Sequence, residues 1–70
     1  IGREKAKSIA LSHAGVKESA ASRLSVEKDY DDGRIEYSVE FNANGKEYDY
    51  EIHGESGKIL DYDVEVEDRD

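Results

Sequence analysis

The residues Arg34-Ile35-Glu36-Tyr37-Ser38-Val39-Glu40-Phe41-Asn42-Ala43, followed by Asn44-Gly45 and then by Lys46-Glu47-Tyr48-Asp49-Tyr50-Glu51-Ile52-His53, decide the fold. In the first run Ile35, Tyr37, Val39, Phe41 and Ala43 make every second residue apolar, and those between them are polar. Tyr48, Tyr50 and Ile52 repeat the pattern against Glu47, Asp49, Glu51 and His53. A third run, Leu60, Tyr62, Val64 and Val66 against Asp61, Asp63, Glu65 and Glu67, repeats it once more. Period-two alternation sends one set to a buried sheet face and the other to water. Asn44-Gly45 suits a type I′ hairpin, whose two central residues both need positive φ.

Working outward, Leu24, Val26 and Tyr30 alternate with Ser25, Glu27 and Asp29 to give a first strand, with Lys28 on its apolar side. An inward charge of that kind marks an edge strand and discourages edge-to-edge pairing. Asp31-Asp32-Gly33 joins this strand to the next, and Gly54-Glu55-Ser56-Gly57 makes the last reversal. None of these loops is long enough for a crossover helix, so the strands run antiparallel as a meander. Upstream, Ile1 to Gly15 reads as a helix with Gly2 as N-cap, Glu4 in the first turn and Gly15 after the last. Ala6, Ile9, Ala10 and His13 share one face, with Ala14 and Val16 at its margins, and Leu11 falls on the other. Lys17 to Ser22 is a polar connector. The predicted class is α+β: one N-terminal helix packed on a four-stranded antiparallel meander sheet. Glu67-Asp68-Arg69-Asp70 are expected to fray.

Seventy residues make one small domain, and 36% hydrophobic residues supply a thin core without a deep cleft. Eighteen acids against ten Lys and Arg leave a net charge of −8. Such a surface repels phosphate, so nucleic acid and anionic membrane are poor partners, and cations or basic protein surfaces are better ones. No apolar run reaches the roughly 18 residues of a membrane span, so no membrane insertion is expected. With no cysteine there is no disulfide framework, and a structural zinc site would lack thiolates. Ile1 in place of an initiator Met fits a fragment processed or excised from a longer protein.

Glu4-Lys5-Ala6 through Ile9-Ala10-Leu11 and His13-Ala14-Gly15-Val16 resemble the helix of a PepSY domain, the peptidase propeptide and YpeB-type domain. Asp29-Tyr30-Asp31-Asp32-Gly33-Arg34 with Tyr37-Ser38-Val39-Glu40-Phe41 resembles that family's first hairpin, and Glu55-Ser56-Gly57-Lys58-Ile59-Leu60 its closing turn. The resemblance spans nearly the whole chain, which then reads as a single PepSY-like domain over residues 1–70 from a longer or tandem-repeat protein. His53 stands where the family commonly has Asp, Gly54 where it often has Ala, and Gly2 where a Ser or Thr cap is usual. The resemblance implies a non-catalytic, extracytoplasmic interaction module of the secreted or cell-envelope kind. Its partner would be a peptidase or envelope protein, or a second PepSY copy. The family has no catalytic residues to carry over.

The residues themselves agree that no enzyme is expected. His13 and His53 fall on opposite faces without a third ligand nearby, no nucleophilic triad has identifying context, and the glycines stand singly in turns and caps. Paired carboxylates on a flat wet face lack the shielded cleft that glycoside hydrolysis needs. Two surfaces remain. The five tyrosines share the inner parity, and one Ala-rich helix cannot cover four strands, so Tyr30, Tyr37 and Tyr62, with Leu11 on the helix's far side, are the candidate partner-binding residues. The outer parity gathers carboxylates, and Asp29, Asp31, Glu47, Asp49, Asp61 and Asp63 form the alternative: a weak calcium- or cation-responsive face. Like charges across neighbouring strands should repel on that face, and no cofactor is expected.

Overall fold

The structure is a computed structural model that describes residues 1–67. Its elements are α1 (Arg3–Ala14), a 3-10 turn (Glu18–Ala20), β1 (Ser22–Asp31), β2 (Arg34–Ala43), β3 (Lys46–His53) and β4 (Ile59–Val66). The four strands form one antiparallel sheet in the order β1-β2-β3-β4, the predicted meander. The hairpin turns take the predicted form: Asp32 and Gly33 have φ 50° and 77°, and Asn44 and Gly45 have 54° and 73°. Positive φ at both centres is the type I′ geometry that matches the twist of the flanking strands.

Gly2 caps α1 with no side-chain hydrogen bond, and Gly15 ends it in the left-handed region at φ 72°. Gly15 N–H donates to Ser12 O at 3.2 Å and Val16 N–H to Leu11 O at 3.0 Å. These two bonds are a Schellman motif, which brings the residue after the glycine against the one three positions before the last helical residue. Here those residues are Val16 and Leu11, and both lie in the core. The expectation that Leu11 faces solvent is thereby corrected: it is only 6% exposed. A helical wheel treats the helix as isolated and cannot register the chain doubling back over its end. Lys7 holds the same junction from outside, bonding Glu4 at 2.9 Å and Glu18 of the 3-10 turn at 3.0 Å. Both bonds keep its ammonium pKa above the ordinary value.

The core lies between α1 and the inner face of β2 and β3, where Tyr37, Val39, Phe41, Tyr48, Tyr50 and Ile52 meet Ala6, Ala10, Leu11 and Val16. Small helix residues allow that close approach. The helix packs on β1, β2 and β3. Its 12 residues span about 18 Å at 1.5 Å each, whereas the molecule measures 42 × 21 × 16 Å. Coverage is therefore partial in both directions.

The β3–β4 turn explains two departures from the PepSY pattern. Nδ1 of His53 accepts the amides of Glu55 and Ser56, each at 3.2 Å, doing what an Asp carboxylate does in an Asx turn. Gly54 N–H donates to Ile35 O at 2.7 Å, and a Cβ at Gly54 would fall 2.6 Å from that same oxygen. Glycine is required there. At the other end, Glu67 is held rather than frayed, since its amide donates to Gly45 O at 2.8 Å and its carboxylate accepts from Asn42 Nδ2 at 3.0 Å. The rest of the expected frayed end, Asp68 to Asp70, lies outside the described residues.

Candidate functional site

Two of the three candidate tyrosines are exposed and one is not. Tyr37 is only 4% exposed, and its hydroxyl donates to Ile1 O at 3.0 Å, so the expectation that it meets a partner gives way to a core role. Its inner parity puts it in the core with Val39, Phe41 and Ala43 of the same strand. Tyr30 is 72% and Tyr62 52% exposed. They do not form one surface, because Tyr30 stands on β1 and Tyr62 on β4, the opposite edges of the sheet. The Lys28 ammonium lies 5.7 Å from the centre of the Tyr30 ring, so that ring already holds a cation.

Tyr62 has different company. It stacks on Tyr50 with ring centres 5.5 Å apart and meets His13 of α1 edge-on at 4.8 Å. His13 also meets Tyr50 edge-on at 5.5 Å, and a hydrogen bond joins its Nδ1 to the Tyr50 hydroxyl at 3.0 Å. Burial, with the neighbouring Tyr48 and Tyr62 phenols adding a smaller push, raises the Tyr50 pKa above its ordinary value. Phe41 extends the stack inward, 6.2 Å from Tyr50 and 4.9 Å from Tyr48. Tyr62 is thus the outermost ring of a packed aromatic row. One side of it is fixed by the core and His13, and more than half of it remains bare.

The same bareness runs along β4. Leu60, Val64 and Val66 are 38%, 40% and 78% exposed. Val64 pairs with Tyr48 and Val66 with Lys46, which places both on the inner, helix-facing side of the sheet. They are apolar because their parity is inner, and exposed because the helix lies over the other three strands. Sequence reasoning assigned their parity correctly but did not single them out. The available signal was the strand order: β4 is last in a meander whose helix is tethered to β1 by a short connector.

The outer face is acidic, as the alternation predicts. Glu40, Asp49 and Asp63 lie side by side across β2, β3 and β4, as do Asn42, Glu47 and Glu65. Glu51 faces Asp61. A one-residue bulge in β1 places Arg23 at φ 54° and sets it beside a shallow depression of about 260 Å3 lined by Glu40, Glu47, Asp49, Asp63 and Glu65. The cation-face residues do not converge. Asp29 accepts a hydrogen bond from Ser38 at 3.2 Å and Asp31 lies 3.9 Å from Arg34, both on β1 and so separated by β2 from Glu47, Asp49, Asp61 and Asp63 on β3 and β4. Among the described residues no group of three His, Cys, Asp or Glu side chains is placed to hold a metal ion. None of the helices described is long and apolar enough to cross a membrane.

Residues 1–63 match the model of the PepSY family, described as peptidase propeptide and YPEB domain. An uncharacterized protein of Streptococcus pyogenes serotype M6, Spy1430, is 44% identical over 61 residues. That alignment takes in 87% of this chain and 47% of the relative, so the chain spans about half the length of that protein. No solved structure matches.

Proposed function

The chain belongs to the PepSY family of peptidase propeptide and YPEB domains, and from that premise we propose that it is a non-catalytic, extracytoplasmic module that binds and regulates a peptidase. One observation supports this beyond the family: Tyr62, Val64 and Val66 stand exposed in a row along β4, with Tyr62 packed on one side against His13. A tyrosine fixed on one side by its neighbours loses little freedom on binding, which makes it an effective anchor. The acidic face, with its shallow depression beside Arg23, suits docking rather than turnover.

The test is to add the domain to a secreted bacterial metallopeptidase freed of its own propeptide and to follow peptide hydrolysis. The expected result is slowed hydrolysis that Tyr62→Ala weakens and Tyr30→Ala leaves unchanged. Hydrolysis unaffected across a panel of such peptidases would overturn the reading.

A further inference from the structure

We propose that the open edge of β4 pairs with an extended partner segment in which apolar and basic residues alternate. This rests on the interaction-module reading and names the chemistry of the partner. Among the described residues β4 has a neighbour on one side only, so one row of its backbone donors and acceptors faces outward. The Tyr62 amide donates to the carboxylate of its own neighbour, Asp61, at 2.9 Å. That local bond is a stand-in that an arriving carbonyl can replace.

The two faces of the edge then specify the arriving side chains. On the inner side, Tyr62, Val64 and Val66 offer apolar contact, and no inward charge interrupts them. On the outer side stand Asp61, Asp63 and Glu65, already opposed by Glu51, Asp49 and Glu47 of β3. Asp63 and Glu65 have no ion pair among the described residues. A strand added about 4.8 Å away puts its own outer residues directly beside these carboxylates. Lys or Arg there relieves the repulsion, and Asp or Glu compounds it.

The same geometry disfavours a second copy of this chain. In antiparallel self-pairing, any register that brings Tyr62, Val64 and Val66 together on one face also pairs odd-numbered residues with each other. Those are Asp61, Asp63, Glu65 and Glu67, so every alignment sets acid against acid. Charge complementarity selects a basic partner over a self-copy.

The experiment is an amide chemical-shift titration of the whole chain with three peptides, each as long as the eight residues of β4. The first alternates Val with Lys, the second Val with Glu, and the third Ser with Lys. Strand pairing predicts that only the first binds well, with the largest shifts at residues 60–66, and that the other two are weaker by about tenfold or more. Val64→Glu should also weaken the Val-Lys peptide about tenfold, although it adds an acid that bulk attraction would favour. Methylating the peptide amides on one edge should do the same without altering the protein. Equal binding of the Val-Lys and Ser-Lys peptides, or shifts centred on the acidic rows of β2 and β3, would overturn the inference in favour of plain electrostatics, and no binding or self-association through β4 would overturn it outright. Slowed hydrolysis that survives Val64→Glu leaves the regulatory reading standing and removes this one. A peptide that binds while no peptidase responds does the reverse.

Discussion

β1 and β4 are both edge strands of one sheet, yet they are finished in opposite ways. β1 lies under the helix only in part, at Leu24 and Val26, carries Lys28 on its inner side and has a bulge at Arg23, whose left-handed φ costs a non-glycine residue on the order of 1 kcal/mol. Inward charge and a bulge are the devices by which natural sheets refuse further strands. β4 has neither device over Asp61–Val66, and its single irregularity lies at its start, where Glu51 and Ile52 face Asp61 and Ile59. Its apolar residues are bare where those of β2 are buried. One edge thus carries devices against further pairing and the other carries none over Asp61–Val66, the asymmetry on which the proposed docking rests.

The comparison can be tested first where the effect is largest. Leu11→Ala removes a core residue from the covered side and should cost about 2–5 kcal/mol. At roughly 4–8 °C per kcal/mol, a thermal melt followed by circular dichroism should show a loss of about eight degrees or more. Val66→Ala on the bare side should stay within about 0.5 kcal/mol. Similar shifts for the two would mean that α1 does not divide the sheet in this way.

Next in size is the turn that presents β4. His53→Ala removes the acceptor of two amides and should cost about 1–2 kcal/mol, because hydrogen bonds of this kind contribute near 1 each. His53→Asp should restore most of that in the same melts, since a carboxylate accepts the same two amides. An Asp variant no better than Ala would show that the ring contributes through packing instead.

A smaller effect is expected from removing the guard on the closed edge. Lys28→Val should let β1 pair with another chain, raising the association constant seen by sedimentation on the order of tenfold. A variant that stays as monomeric as the parent would show that the bulge and the helix suffice without the charge.

The smallest concerns the border between covered and bare sheet, where Tyr50 underlies Tyr62. Because the folded state raises the Tyr50 pKa, the unfolded chain loses that proton first as pH rises. The associated stability is complete below the ordinary tyrosine value, about 10, and is lost as pH climbs through the raised folded value. Urea midpoints compared on either side of pH 10 should fall in the parent and fall less in Tyr50→Phe. Parallel curves would place the alkaline loss elsewhere.

Much of this was legible from local pattern. Alternation assigned the parity of the strand residues except at the two bulges, around Arg23 and where Ile59 faces Ile52, Asn44-Gly45 and Asp32-Gly33 located their turns, and Gly15 ended the helix. Leu11 was legible too, had the Gly15 cap been read as a Schellman motif that draws it against Val16, and not only as a stop. Tyr37 and Tyr62 show the limit. Both have inner parity and the same chemistry, and nothing within a few residues of either says that one is buried and the other is not.

The sequence by itself determined the strands, their antiparallel order, the helix and the acid-lined outer face, because each depends on periods of two or 3.6 residues and on turn chemistry acting over short distances. Only the tertiary structure decided which inner-face residues are core and which are surface. A 12-residue helix has to lie somewhere on a sheet it is too small to cover. Its position is set by long-range packing of Ala6, Ala10 and Leu11 against β2 and β3, and that placement leaves the last strand open.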